Sequence, residues 1–189
     1  MKNNIEIEVK VLEVNKKELE KKLVAVGAKK IFSNNKIVQE SYKNKELQKK
    51  RASIRVRQIG KELYITFKEF KEIKQNVKNC KEIEFQVSSD FKTIQEVFLA
   101  LGLKKHRRIE KTRTSYKLKD ITFDIDEVIK PFKIPCYFEI EAKSYKEIEK
   151  TLLLLDIPKS KAKPWGTKQL LKHYEKMKKW YLKNQNLKF

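Results

Sequence analysis

Residues 5–11 read Ile5-Glu6-Ile7-Glu8-Val9-Lys10-Val11, so apolar and charged side chains alternate one by one. A period of two is typical of a β-strand with one buried face and one polar face. The motif returns as Glu82-Ile83-Glu84 and as Glu139-Ile140-Glu141, and a segment that reads as a capped helix follows each copy. The sequence therefore predicts a β-rich protein in which short helices separate groups of strands.

Turn and cap residues divide the rest of the chain. Residues 52–59 and 63–70 alternate on either side of Gly60, which predicts an antiparallel hairpin. The polar segments 43–50 and 72–81 are expected to be loops. A last amphipathic helix is expected at about residues 167–183.

Helix starts are marked at two places. Asn15 with Glu18, and Ser144 with Glu147, have the three-residue spacing of a capping box. An apolar periodicity suited to a helix follows each pair. Helices are therefore expected directly after the first and the third copies of the alternating motif.

Composition excludes several classes of protein. The chain has 189 residues, 40% of them hydrophobic, which predicts one folded domain over residues 1–189. Lys and Arg number 46 against 25 Asp and Glu, and the net charge of +21 calls for an anionic partner. Two isolated cysteines argue against a structural zinc site, and no apolar run is long enough for a membrane span. We expect a cytoplasmic protein with no membrane partner, as a monomer or homodimer.

Charges of one sign repeat along single strand faces. Residues two apart in a strand point the same way, so Glu6 and Glu8 share a face, and so do Arg55 and Arg57. Any one such pair is usually a solvated outer surface. If the sheet closes, however, all these faces line one interior, where carboxylates need a cation and arginines need an anion. A polyphosphate bound with Mg²⁺ or Mn²⁺ meets both needs.

The ordered set of charged residues resembles the CYTH domain of the triphosphate tunnel metalloenzymes. This family includes class IV adenylate cyclases, thiamine triphosphatases and inorganic triphosphatases. The resemblance rests on Glu6-x-Glu8-x-Lys10, Arg55-x-Arg57, Lys68, Glu82-x-Glu84, Lys111-x-Arg113, Asp126 and Glu139-x-Glu141. It implies an α+β fold, a closed antiparallel eight-stranded β-barrel or tunnel with flanking helices and a C-terminal helix.

The resemblance also implies roles for individual residues. The residues implied to bind triphosphate are Lys10, Arg55, Arg57, Lys68, Lys111 and Arg113. Those implied to hold one or two divalent ions are Glu6, Glu8, Glu82, Glu84, Asp126, Glu139 and Glu141. Lys10 and Tyr42 are the implied catalytic pair, which would position or deprotonate the attacking water.

Three functions remain open at this point. The leading hypothesis is metal-dependent hydrolysis of inorganic triphosphate or of a triphosphate-containing small molecule. The second is a class IV adenylate cyclase, which converts ATP to cyclic AMP and pyrophosphate. Gly166-Thr167 stand where cyclases and thiamine triphosphatases often carry Ser-Tyr, which favours the first. The third is a basic protein that binds nucleic acid or polyphosphate without catalysis, although no specific nucleic-acid motif is present.

Overall fold

A computed structural model of the protein describes residues 4–184, which contain nine β-strands and five α-helices. The strands are β1 (Asn4–Leu12), β2 (Lys29–Lys43), β3 (Ala52–Ile59), β4 (Glu62–Lys74), β5 (Val77–Val87), β6 (Lys104–Leu118), β7 (Ile121–Lys130), β8 (Tyr137–Ala142) and β9 (Ala162–Lys163). The helices are α1 (Lys16–Ala25), α2 (Lys45–Lys49), α3 (Phe91–Ala100), α4 (Tyr145–Leu154) and α5 (Thr167–Asn184). Within this described range, no helix combines the length and apolar composition that crossing a bilayer requires.

The sheet closes on itself. Its strands are hydrogen-bonded in the order β5-β4-β3-β2-β6-β7-β8-β1, and β1 pairs in turn with β5. All of these pairings are antiparallel. The short β9 pairs with Lys10 and Val11 of β1, just beyond the part of β1 that pairs with β5. The predicted closed barrel of eight antiparallel strands is confirmed, and β9 is an addition to it.

The polar segment 72–81 is a hairpin and not the predicted loop. β4 continues to Lys74, β5 begins at Val77, and both intervening residues have positive φ, 50° at Gln75 and 59° at Asn76. Two consecutive residues with positive φ form a tight hairpin turn whose twist suits antiparallel strands. Backbone hydrogen bonds join the two strands there, and such bonds do not require alternating apolar residues. The sequence of this hairpin is therefore polar, which is why it resembles a loop.

Side-chain caps begin the helices as the spacing predicts. Asn15 and Ser144 each accept a hydrogen bond, 3.3 Å long, from the amide three residues on. Asn44 does the same at 2.9 Å and starts α2, so the predicted loop at 43–50 contains a short helix. The last helix, α5, covers the range predicted for it.

The hydrophobic core lies between the barrel and the helices. α1 and α4 pack Leu23 and Ile148 against the outer faces of β1, β7 and β8. α3 packs Phe98 against the outer face of β3, and α5 packs Leu170 beside residues of β6, β7 and β8. Where the apolar side of a strand faces α1, α3 or α4, its polar side faces into the barrel. Ile109 and Tyr137 beside α5 differ, because they line the cavity themselves.

Candidate functional site

The barrel encloses a cavity of about 880 Å³ with a charged wall. The strands supply this wall by alternation, so that Glu8 and Lys10 of β1 point inward while Val9 points to the core. The predicted site residues that line it are Glu6, Glu8, Lys10, Arg55, Arg57, Lys68, Glu82, Glu84, Lys111, Arg113, Glu139 and Glu141. Of the predicted set, only Tyr42 and Asp126 lie elsewhere, and the closed sheet thus gathers charges that are far apart in sequence.

Two pairs of carboxyl groups lie side by side on β1 and β8. Glu139 contacts Glu8, and Glu141 contacts Glu6. Burial raises the pKa of Glu139 to about 7, against the opposing charge of Lys10 and with a contribution from Glu8. Burial raises the pKa of Glu141 to about 9, and the negative charge of Glu6 adds to the rise. These carboxyls hold protons near neutral pH because burial and the neighbouring carboxyl groups outweigh the attraction of Lys10 and Lys68.

Glu8 is the most strongly neutralised of these carboxylates. Its Oε1 lies 3.4 Å from Lys10 Nζ and contacts Lys78 Nζ, and its Oε2 lies 3.5 Å from Lys68 Nζ. Burial raises the pKa of Glu8, but the three lysines outweigh burial and hold it well below its usual range. Glu8 therefore stays ionised and can donate its oxygens to a cation.

Lys68 joins the acidic strands to each other. Its Nζ lies 2.9 Å from Glu82 Oε2 on β5 and also contacts Glu6 on β1. Burial lowers the pKa of Lys68, but the surrounding carboxylates outweigh burial and hold it well above its usual range. Lys68 is therefore a fixed positive charge in the cavity wall.

Two arginines form the adjoining wall on β3. Arg57 Nη2 donates to both oxygens of Glu84, at 2.7 and 2.8 Å. Arg55 Nη2 donates to Glu82 Oε1 at 3.1 Å. The Nε of Arg57 is buried, and within residues 4–184 it has no hydrogen-bond partner. A buried N–H left without a partner marks a place where a ligand oxygen fits.

Asp126 lies on the inner face of β7, on the same side as Asp124, and holds two of the predicted phosphate-binding cations. It is fully buried, accepts from Lys111 Nζ at 2.6 Å, and accepts from Arg113 Nε and Nη2, both at 2.7 Å. Burial and the neighbouring Arg113 lower the pKa of Lys111 to about 8. Through these hydrogen bonds, Asp126 orients the side chains of Lys111 and Arg113.

Tyr42 does not reach the cavity, which contradicts its predicted place beside Lys10. Strand alternation turns its neighbours Ser41 and Lys43 inward and Tyr42 outward. Its ring packs edge-on against Phe98 of α3, with ring centroids 5.1 Å apart, and its hydroxyl donates to Glu40 at 2.6 Å. The tyrosine belongs to the packing beneath α3.

Lys78 and Asp124 are ion-paired cavity residues that are absent from the predicted set. Lys78 lines the cavity and contacts Glu8, but the loop predicted at 72–81 hides it. Its place could have been inferred from alternation, since residue 78 has the same parity as Glu82. Asp124 also lines the cavity and contacts Arg113, and it shares a strand face with Asp126.

The carboxyl pairs fit a divalent metal by their chemistry. Among the described residues, no three Asp, Glu, His or Cys side chains stand in a ready-made metal-ligating arrangement. The adjacent pairs Glu6–Glu141 and Glu8–Glu139 nevertheless offer several oxygens, and the raised pKa values of Glu139 and Glu141 are what a bound cation would lower. Mg²⁺ and Mn²⁺ prefer such oxygen donors, so the residues fit one of these ions.

Comparison with known proteins identifies a family and structures of the same fold. The profile of the CYTH domain matches residues 4–156. No curated protein sequence matches the chain. Among solved structures, the PH1012 protein from Pyrococcus horikoshii OT3 is 28% identical, with a TM-score of 0.70 over 85% of this chain and 96% of that chain.

Two more distant structures share the fold. A putative adenylate cyclase from Vibrio parahaemolyticus is 12% identical, with a TM-score of 0.72 over 90% of this chain and 99% of that chain. The putative adenylyl cyclase HpAC1 from Hippeastrum, described as having a dominant triphosphatase activity, is 13% identical. Its TM-score is 0.60, over 86% of this chain and 91% of that chain.

Proposed function

The chain belongs to the CYTH domain family, and we propose that it hydrolyses the terminal phosphoanhydride bond of a triphosphate bound inside its barrel. Members of this family of metal-dependent tunnel enzymes are triphosphatases or cyclases. One observation carries the proposal, namely that carboxyls and cations from six strands meet in one cavity. A metal–triphosphate complex suits both sets at once, because its metal fits the carboxyl oxygens and its phosphates fit the cations.

The phosphate chain would be held by the cations of the wall. Arg55, Arg57, Lys68, Lys111 and Arg113 each have a carboxylate partner that fixes the side chain in the cavity. Arginine presents a planar fork that matches phosphate oxygens, and lysine presents a compact point charge. Side chains already fixed in this way stabilise charge that develops on the transferred phosphoryl group at little reorganisation cost.

The carboxyls of β1 and β8 would hold the metal, with Glu6, Glu8, Glu139 and Glu141 as the donors. When bound, Mg²⁺ or Mn²⁺ supplies a Lewis acid that neutralises phosphate charge. Glu82 and Glu84, predicted as ligands from the resemblance, have their oxygens on Lys68, Arg55 and Arg57. Their part in our proposal is to hold those cations in place.

Lys10 would orient the attacking water. It is buried, with its Nζ 3.1 Å from Glu139 and 3.4 Å from Glu8. Burial lowers the pKa of Lys10, but the two carboxylates outweigh burial and raise it overall. Because Lys10 stays protonated, it can position a water oxygen and neutralise charge, but it cannot accept the proton of that water.

The decisive experiment is phosphate release from inorganic triphosphate with Mg²⁺ or Mn²⁺. We expect Glu6→Gln/Glu8→Gln to lower kcat/KM by about 100-fold or more, because metal-site removal costs several kcal/mol of transition-state stabilisation. The matched control is Glu62→Gln/Glu96→Gln, which removes the same charge from exposed positions of β4 and α3. Unchanged activity in the tunnel variant would rule the proposal out.

A cyclase is the second candidate, because the Vibrio neighbour of the same fold is described as a putative adenylate cyclase. The same cavity would then direct the ribose 3′-hydroxyl of ATP at the α-phosphorus. Product analysis separates the two functions. Orthophosphate from triphosphate or ATP supports the hydrolase, whereas cyclic AMP with pyrophosphate from ATP supports the cyclase.

A further inference from the structure

Four cationic or titratable side chains gather at one end of the cavity, where β2 ends and β6 begins. We call this set the basic mouth, and it consists of Lys43, His106, Arg107 and Lys168. Lys43 is the last residue of β2, His106 and Arg107 lie near the start of β6, and Lys168 lies in the first turn of α5. Three separate elements thus bring basic side chains to one opening.

The basic mouth differs from the rest of the cavity in having no counter-charges. In the interior, Arg55, Lys68 and Arg113 are each within 4.0 Å of carboxylate oxygens. By contrast, none of the four mouth residues forms an ion pair with any Asp or Glu of residues 4–184. The interior cations are therefore balanced before a ligand arrives, and those of the mouth are not.

The pKa values report the same imbalance. Burial lowers the pKa of Lys43, and the charges of Lys168 and Arg107 lower it further. Burial lowers the pKa of His106 too, followed by the charges of Lys43, Arg107 and Lys168. Like charges held together in this way repel one another, and a bound anion removes that repulsion.

A bulge in β6 builds the mouth. Ser41 of β2 pairs with Arg107, but the next residue, Tyr42, pairs with Lys105, which leaves His106 as an extra residue. Regular alternation would send only one of two consecutive residues inward, yet His106 and Arg107 both line the cavity. Bulges redirect side chains in this way beside functional sites.

We propose that the basic mouth binds a phosphoryl group beyond the third, so that the preferred substrates are linear polyphosphates longer than triphosphate. This inference rests on the proposed function, because the triphosphate part of such a chain would occupy the wall of Arg55, Arg57, Lys68, Lys111 and Arg113. Mouth and wall line one continuous cavity, so a single chain can contact both. A cationic organic group attached to the triphosphate would be repelled at this opening, and a neutral one would leave the mouth charges unbalanced.

The test compares linear tetraphosphate with triphosphate, both with Mg²⁺. In the wild-type protein, kcat/KM for tetraphosphate is expected to equal or exceed that for triphosphate. Lys43→Met/Arg107→Met should raise KM for tetraphosphate by about tenfold, because charge-assisted contacts to the extra phosphate are lost. The same variant should change KM for triphosphate by less than about twofold.

A matched control separates the mouth from general charge effects. Lys146→Met/Lys150→Met removes the same charge from exposed positions of α4 and should change neither KM. An equal loss with both substrates in the mouth variant would overturn the inference. Hydrolysis of triphosphate with no measurable use of tetraphosphate would also overturn it, while leaving the proposed hydrolase intact.

A binding measurement tests the mouth even if neither substrate is hydrolysed. The chain has two histidines, so the NMR signal of His106 can be assigned with His173→Gln. With EDTA present, tetraphosphate should raise the pKa of His106 above its value in the free protein, and by more than triphosphate does. An equal rise with both ligands, or no rise, would refute the inference whatever the activity.

Discussion

Glu40, which has no part in the cavity, is the hydrogen-bond partner of the outward-facing Tyr42. The Glu40 carboxylate is fully buried and accepts from Tyr42 at 2.6 Å, from Arg108 at 2.8 Å and from Lys105 at 2.6 Å. Burial raises the pKa of Glu40, but these donors outweigh burial and lower it to about 2. Burial, followed by the hydrogen bond to Glu40, raises the pKa of Tyr42 to about 12, so this phenol does not act as a base at neutral pH.

Tyr42→Phe should therefore leave kcat unchanged within about twofold and lower the free energy of unfolding by about 1 kcal/mol, the value of one lost hydrogen bond. Lys10→Met, in contrast, should lower kcat by about 100-fold, because it removes a buried cation from the proposed site. Steady-state kinetics with triphosphate and urea unfolding give the two measurements. A large fall in kcat for Tyr42→Phe would restore the catalytic role that the resemblance implies.

At the scale of elements, the hairpin of β4 and β5 depends on a two-residue turn, and one of its residues adopts the required backbone conformation more easily than the other. Gln75 and Asn76 both adopt positive φ, which asparagine tolerates better than glutamine. Asn76 also donates its side-chain amide to the Ala162 carbonyl of β9 at 2.7 Å. This turn positions Lys78, Glu82 and Glu84, and it also connects the hairpin to the added strand.

Gln75→Gly should stabilise the protein by about 0.5–1 kcal/mol, because glycine relieves the strain of positive φ. Asn76→Ala should instead lower the free energy of unfolding by about 1–2 kcal/mol, because it adds backbone strain and removes the contact with β9. Both changes are measured by urea unfolding. Destabilisation by Gln75→Gly would show that residues 75 and 76 do not form this turn in solution.

At the scale of the whole molecule, closing the barrel forces carboxyls together and couples its stability to pH. Glu139 and Glu141 have pKa values raised to about 7 and about 9, whereas unfolded glutamates titrate at about 4.3. Between pH 5 and pH 7 the folded state thus holds more protons than the unfolded state. Stability present at pH 5 is therefore lost as pH rises through the folded pKa values. The pKa of His106 is lowered, so its folded form binds fewer protons than its unfolded form. This difference is less than one proton and acts against the fall in stability.

We therefore expect the free energy of unfolding of the metal-free protein to fall by about 1–3 kcal/mol from pH 5 to pH 7.5. Mg²⁺ or Mn²⁺ should reduce that fall, because the ion replaces the protons shared by the carboxyls. Glu141→Gln should flatten the profile. The measurement is urea unfolding at several pH values with EDTA or metal, and a metal-free stability that rises over this range would contradict the prediction.

The sequence by itself determined most of the strands, the predicted helix caps and the pairing of like charges on strand faces. These features follow from local periodicity and local hydrogen bonding, which neighbouring residues decide. For that reason, the Glu-Ile-Glu copies at 82–84 and 139–141 can be recognised as strands from the sequence, and Gly60 can be recognised as part of a turn. The eight-stranded closure came from the family resemblance, because no local pattern states which strands become neighbours.

Only the tertiary structure decided which charges meet, which stay balanced and which face away. Tyr42 turns outward because its strand register places α3 beside it, and Lys78 turns inward because a hairpin forms from polar residues. The bulge that presents His106 and Arg107 together depends on the pairing of β2 with β6, residues more than sixty positions apart. Such long-range pairing fixes the distances between charges, and in a buried cavity those distances determine what the charges can bind.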